Sequence, residues 1–335
     1  MSEDALPNPA AGSTTELGAV RGGGRSLLQR VAPSAIWAVL FVLTVVSSLI
    51  SPVFFTTRNI STLLKQAASL GIVSVGQTLT ILTGGIDLSV ASVMALMSVV
   101  SASLMEGQDS LFPSVALYCL AIAAAIGLVN GLLVTKLKIP AFIATLGMIL
   151  VVQGIRFVYT GGSPRGSIPP VLRFIGGGMV GPVPAAVILW VVIVAVFVIL
   201  MRRTTFGREM YAVGGNRSAA HLSGVNVNGI IIAAYTLCST LAGVAGLVFT
   251  GYNGFADNWV GRGFELNSIA AVVVGGTLFE GGRGGVVGTV AGVLIITILF
   301  NLVLLLGLDE EYQRIVKGVA IILAVAMYAR MRARR

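Results

Sequence analysis

The chain has 335 residues, 56% of them hydrophobic and only 10% charged, with a mean hydropathy of +0.95. Soluble domains carry about 25% charged residues, so this composition excludes a soluble globular protein and points to a polytopic membrane protein. The net charge of +9 does not signal nucleic-acid binding, because the basic residues are scattered over short loops and the C-terminus and form no stripe interleaved with aromatics.

Residues 1–30 are polar, rich in Gly, Pro, Ser and Thr, and close with Arg21, Arg25 and Arg30. They read as a disordered cytoplasmic tail rather than a cleavable signal, since the apolar run begins too far in and is too long. A transmembrane domain is expected over 31–330, and residues 331–335 form a basic cytoplasmic C-terminus. The first span covers 34–50 and ends at Ser51-Pro52. The second, 61–83, runs into Gly84-Gly85-Ile86-Asp87-Leu88-Ser89, where two glycines free the backbone and a carboxylate stands between apolar segments. A bare carboxylate in hydrocarbon costs a few kcal/mol or more, so Asp87 needs an interface, a cavity or a helix end. The simplest reading makes it an interfacial helix cap, with Asp87 or Ser89 opening the next helix; a substrate ligand is the sharper one.

The third span is expected over 89–105, the fourth over 111–133 and the fifth from Ile139-Pro140 to about Tyr159. A long polar loop, 160–182, separates the fifth from the sixth, 183–201, which stops at Arg202-Arg203. Residues 202–228 are too polar to span. Within them Asn216 or Ser218 can cap a short helix holding Ala219, Ala220, His221 and Leu222, ended by Gly224, with Ala219, Ala220 and Leu222 as a small apolar patch. A seventh span covers 229–250 and an eighth about 267–279, followed by a second glycine break, Gly281-Gly282-Arg283-Gly284-Gly285. The ninth covers 286–306 and the tenth about 312–329. Ten spans place both termini on one side. With that side inside, 14 basic residues are inner, 7 are outer when Lys65, Arg156 and Arg314 at the outer ends of their spans are counted there, and Lys317 lies in the tenth span, which supports an N-in, C-in arrangement. The expected fold is therefore an all-α polytopic membrane protein of about ten helices with two glycine-broken helix pairs. An internal repeat relating the two breaks is a weaker suggestion.

No catalytic set emerges. His221 has no metal-ligand neighbours, no Ser/His/Asp arrangement can be assembled, and no P-loop is present. Any ATP-driven process must use a separate ATPase chain. Cys119 and Cys238 lie in apolar segments and read as small buried side chains. Gln66, Gln77, Asn130, Gln153 and Asn301 are amides on apolar spans, suited to gluing helices together or to lining a wet path. Trp37 and Trp190 read as core or lipid-facing, Trp259 as an interface residue, and Arg283 as a topology signal.

Four ordered blocks carry a resemblance: Gly84–Ser89; Ile139–Gly147; Thr205–Asn216 continuing to Val225; and Ala270–Thr277 with Gly281–Gly284. Over roughly residues 55–330 the chain resembles the ribose-type permeases of sugar-importing ABC transporters. One departure is Ala91, where that family commonly has glycine. The resemblance implies a multi-pass protein of the bacterial cell (inner) membrane that forms the translocation path for a monosaccharide or small polyol as a dimer with a second permease subunit. It implies a cytoplasmic ABC ATPase partner holding the ATP and Mg, a periplasmic or lipid-anchored sugar-binding protein, lipid around the helices, and no cofactor in this chain. Residues 202–228 would supply the ATPase-coupling element, through Arg208, Asn216, Arg217, Ser218, Ala219, Ala220 and Leu222. Path or break residues would be Gln77, Gly84, Gly85, Asp87, Ser89, Asn130 and Asn301. A self-sufficient carrier driven by an ion gradient is the alternative; it calls for paired intramembrane carboxylates or histidines, whereas Asp87 stands alone and no charge lies between 284 and 308.

Overall fold

The computed structural model describes residues 27–308 together with 311, 312, 315, 318 and 319. Most of the expected N-terminal tail and tenth span, and the basic C-terminus, lie outside the described residues. The helices are α1 (Leu27–Ile50), α2 (Thr57–Leu82), α3 (Val90–Met105), α4 (Phe112–Thr135), α5 (Ala141–Thr160), α6 (Pro170–Gly177), α7 (Ala185–Arg203), α8 (Thr205–Gly215), α9 (Arg217–Leu222), α10 (Val227–Asn253), α11 (Phe264–Val274) and α12 (Val286–Leu305). Among the described residues the only strands form a two-residue hairpin, Met179–Val180 against Val183–Pro184. The protein is an all-α membrane protein. The segments Asp109–Thr135, Ala141–Thr160, Ala185–Arg203, Val227–Asn253 and Val286–Leu305 are each long and apolar enough to cross a bilayer.

At the centre lies α2. Its first turn is capped by Thr56, whose hydroxyl accepts from Asn59 N, and from Ala67 to Leu82 every residue is buried. A helix buried on all sides belongs to the interior, and this one packs against α10, α12, α7 and α11. Small residues let its neighbours come close. The Trp190 indole of α7 occupies the space a side chain at Gly71 would need, so Trp190 is a core residue rather than a lipid-facing one. Gly76 sits against the Cys238 backbone of α10. The same device joins α4 to α10: Gly127 and Gly131, one turn apart, face the backbone at Tyr235 and Ile232.

Two expectations need correction. The stretch 160–182 is not simply a polar loop: Pro169-Pro170 starts α6, and Leu172 and Gly176 of that helix press on Val248, Gly251 and Tyr252 of α10. Eight residues framed by prolines and glycines hide their apolar face from a reading based on long periods. The expected eighth span shrinks to α11, whose 11 residues reach about 16 Å against a hydrocarbon thickness of about 30 Å. It stops where Gly275 touches the α12 backbone at Gly288 and Gly276 takes φ +87°.

Candidate functional site: the buried break between two helices

The C-terminus of α2 closes as a Schellman turn. Gly85 N donates to Thr80 O and Gly84 N to Ile81 O, both at 2.9 Å, with Gly84 at φ +76°. Of the glycine pair, only Gly84 has a positive φ; Gly85 is required for room, because a side chain there would strike the Tyr235 hydroxyl. The chain then turns back through Ile86, whose carbonyl accepts from Tyr235 Oη at 3.3 Å and Thr145 Oγ1 at 3.5 Å.

Asp87 follows, and it is fully buried. Its Oδ1 accepts from Ser89 N at 2.9 Å, Ser89 Oγ at 2.6 Å and Asn130 Nδ2 at 3.5 Å; its Oδ2 accepts from Ser239 Oγ at 3.3 Å. Asn130 Nδ2 also donates to Ser89 Oγ at 2.9 Å. Oriented to satisfy both of its groups, the Gln77 amide grips the backbone of the same residue, donating to Asp87 O at 3.0 Å and accepting from Asp87 N at 3.2 Å. The expected interfacial cap is thus corrected. Asp87 is a buried hub that ties its own turn to α2, α4 and α10, and Ser89 opens α3 with helical backbone and no capping side-chain bond. The Asp87-to-Ser89 N bond spans two residues, an Asx turn rather than a helix cap. A carboxylate accepting several neutral donors can be kept away from lipid without a counter-ion, which sequence alone could not reveal.

Gln77, Gly84, Gly85, Asp87, Ser89 and Asn130 are therefore gathered in one place. Asn301 is not among them: it exchanges two amide bonds with Asn59, at 2.8 and 3.1 Å, locking α12 to the opposite end of α2. Tyr235 and Ser239 were not singled out from the sequence, although their spacing of four places them on one face of α10.

Three segments meet below the hub. The last carbonyl of α2, Leu82 O, accepts from Gly282 N of the second break at 2.9 Å, and Gly214 near the end of α8 packs on both. Arg217, the first residue of α9, donates from Nη2 to Thr83 O at 2.9 Å, a cation placed at the negative end of α2. Tyr211 of α8 donates to Gly284 O at 2.9 Å. Burial raises the pKa of that phenol, Arg202 offsetting part of the effect, so it remains a donor at neutral pH.

On α9 itself, Asn216 is the cap, its Oδ1 accepting from Ala219 N at 3.0 Å; Ser218 is not. Arg208, Asn216, Arg217, Ser218 and Ala219 are exposed. The expected apolar patch is split, since Ala220 is buried inside the chain at 4% exposure while Leu222 stands out at 87%. A six-residue helix is too short for the sequence to show which residues turn inward. Beside α9 a hollow of about 590 Å³ is lined by Arg217, His221, Asn226 and neighbours.

A helical membrane bundle with a polar, glycine-hinged turn buried at its centre has the form of a transport protein. The family described as branched-chain amino acid transport system / permease component matches residues 59–325. The chain is similar to the ribose import permease protein RbsC of Escherichia coli K12, 44% identical over 291 residues, 85% of this chain and 90% of the relative. It is 37% identical over 294 residues, 86% of each chain, to the probable ABC transporter permease protein YphD of the same strain. To its galactose/methyl galactoside import permease protein MglC it is 36% identical over 321 residues, 90% of this chain and 96% of that one. No solved structure matches the chain. The chain belongs to this family of ABC-transporter permease components, as its four sequence blocks led us to expect, and is a multi-pass protein of the bacterial cell (inner) membrane.

Proposed function

We propose that the chain is the membrane subunit of an ATP-driven importer for a monosaccharide or small polyol, forming the translocation path as a dimer. The relatives' names carry the substrate class, ribose and galactose. In this reading about ten segments cross the membrane with both termini inside, α11 completing its crossing together with the buried turn residues on either side of it, Asn258 and Val260 before and Thr277 after, and α2–α3 and α11–α12 are the two glycine-broken pairs. A separate cytoplasmic ATPase holds ATP and Mg, and a sugar-binding protein delivers cargo from outside.

The observation that best supports an ATP-coupled role is the contact between the exposed α8–α9 element and the central break. Arg217 bonds Thr83 O, and Gly214 packs on Leu82 O, so a push on α9 is delivered to the turn that holds Asp87 without an intervening flexible segment. Proteoliposomes holding this chain with a cognate ABC ATPase and sugar-binding protein should accumulate D-ribose or D-galactose only with ATP inside. Sugar uptake by the purified chain alone, without ATPase, would instead establish the ion-driven carrier.

Orientation has its own test. In a background lacking Cys119 and Cys238, a cysteine at exposed Ser163 should react with an impermeant thiol reagent from outside, and one at exposed Ser218 only after permeabilisation. Outside labelling at Ser218 would reverse the proposed topology.

A further inference from the structure

A second polar cluster lies away from the hub, in a cavity of about 170 Å³ between α3, α5 and the segment leading into α11. Ala91, Ser92 and Ala95 form its α3 wall, so it continues along α3 from the turn that holds Asp87. From this cavity, and resting on the importer reading above, we propose that Gln153, Arg156, Asn258, Trp259, Arg262 and Glu265 form a contact subsite for an uncharged, polyhydroxylated ligand, the transported monosaccharide.

Arg156 carries the first part of the argument. A guanidinium within a membrane-length apolar helix is costly and marks a polar path or cavity by default. Here it is 3% exposed, its charge lies in the field of Asp257, and its Nε has no hydrogen-bond partner. Asn258, also 3% exposed, donates from Nδ2 to Gly162 O at 3.1 Å and Thr160 Oγ1 at 3.5 Å, while its Oδ1 has no partner. Neither atom faces the open space as the side chains stand, but both residues line the cavity, and turning either unpaired group into it offers a donor and an acceptor to a ligand whose groups both give and take hydrogen bonds, which is the property of a hydroxyl.

Trp259 supplies an apolar platform. It is half-exposed, with Arg262 over the ring at 5.3 Å and the Phe157 edge at 5.8 Å holding the indole in place. The C–H face of a sugar ring, slightly positive, packs on the exposed part of the indole left open by Arg262 and Arg156, which lie 5.3 and 6.0 Å from its centroid. Charge decides between ligand classes. The lining holds two cations, Arg156 and Arg262, and one carboxylate, Glu265, which already accepts from Gly263 N at 2.9 Å, while Asp257, outside the lining, acts on the Arg156 charge and completes the balance. A balanced set with no surplus cation gives no preference for a free carboxylate ligand. The cavity is smaller than the ~300–1,000 Å³ of sites that enclose a drug-sized molecule, so it grips one face of a passing sugar weakly, as a path that must release its cargo requires.

The test uses the complete importer in proteoliposomes with D-ribose, D-galactose and L-leucine as probes. Because the binding protein sets capture, Gln153→Ala and Trp259→Ala should lower the maximal sugar uptake rate about tenfold. The half-saturating concentration and the ATPase stimulation by loaded binding protein should stay unchanged, and Trp259→Phe should restore most of the rate. A purely structural role would instead lower ATPase stimulation and uptake together. A Gln153→Cys complex free of Cys119 and Cys238 gives a second measurement: D-ribose should slow its alkylation during turnover and L-leucine should not. Wild-type uptake with unchanged rates in both alanine variants, or alkylation indifferent to ribose, overturns the subsite while leaving the importer reading intact. Wild-type uptake of L-leucine with none of either sugar overturns both.

Discussion

The two glycine-rich breaks are built on opposite principles. The first, 83–89, is pinned by side chains: one carboxylate collects donors from its own turn, from α4 and from α10, while the Gln77 amide holds its backbone. The second, 275–285, rests mainly on backbone and glycines, with Leu278 N donating to Arg283 O at 3.1 Å and Gly276, Gly281, Gly282 and Gly284 all at positive φ, and side-chain hydroxyls join in, Thr277 accepting from Gly285 N at 3.2 Å and Tyr211 donating to Gly284 O. Asp87, Leu88 and Ser89 are buried, with Gly84 exposed at the start of the turn, whereas Gly276, Glu280, Arg283 and Gly284 are exposed, with Thr277 and Gly281 buried between them. A polar hub inside a membrane bundle admits one arrangement, because every alternative strands a buried donor. A backbone-built turn at the surface has solvent to fall back on. The first break is therefore the specified element and the second the adaptable one, and they touch at Leu82 O and Gly282 N.

Removing the hub's acceptor should have the largest effect. Asp87→Ala leaves Ser89 N, Ser89 Oγ and Ser239 Oγ buried without that acceptor, at about 1–3 kcal/mol for each group that finds no other. The expected outcome is loss of the folded subunit, read as absence of a monodisperse detergent-solubilised species. Asp87→Asn keeps the shape and one acceptor, and the Ser239 hydroxyl can rotate to accept, so this variant should assemble. Its uptake then separates charge from geometry: full activity makes the hub a geometric device, and inactivity in an assembled complex makes the charge itself functional.

Next in size is the glycine comparison. At Gly214 a side chain would overlap Leu82 O and crowd Gly282, all backbone that cannot step aside, so Gly214→Ala should abolish uptake and lower the thermal midpoint of the subunit. Around Gly276 no atom lies within 4 Å of where a Cβ would stand, and its alanine variant bears only the left-handed backbone penalty, about 1–2 kcal/mol. Equal damage from the two variants would show that the exposed part of the second break is held as tightly as its junction with the first, so that the second break is not adaptable.

What the sequence made legible follows the same division. The break after α2 announces itself as Gly84-Gly85 with a carboxylate beyond, and the cap of α9 is visible as Asn216 before a run of alanines, because both signals are local. Partnerships between distant elements carry no local mark. Asn301 could be seen as an amide on an apolar helix, but not its pairing with Asn59, 242 residues away. Arg156 could have been flagged as a charge inside an apolar span, yet the cavity it shares with Asn258 and Trp259 exists only once α5 meets the segment before α11.

A smaller effect is expected at Arg217, an exposed residue whose one described hydrogen bond reaches the first break. Arg217→Gln should shift stability by no more than about 1 kcal/mol, since a single partly exposed bond is at stake. It should nonetheless lower the number of sugars moved per ATP hydrolysed in the reconstituted complex. An unchanged ratio would show that α9 does not act on the break through this contact.

The smallest effect on the fold belongs to Leu222, and it isolates the ATPase contact from everything above. Ala220 is unsuitable for that purpose: at 4% exposure a glutamate there would disturb the packing of α9 on its own chain, and lost transport would say nothing about docking. Leu222 is 87% exposed and makes no demand on the core, so Leu222→Asp should leave the thermal midpoint of the isolated subunit unchanged. If α9 is the docking element, an apolar side chain of this size held out from a six-residue helix is the group that enters the ATPase surface, and a carboxylate there must be desolvated without a partner. Pull-down of the ATPase should then fall at least tenfold while the hub and both breaks stay intact. Full retention of the ATPase by Leu222→Asp would remove α9 as the contact and move the search to the exposed residues of the second break, Glu280 and Arg283, on the neighbouring surface.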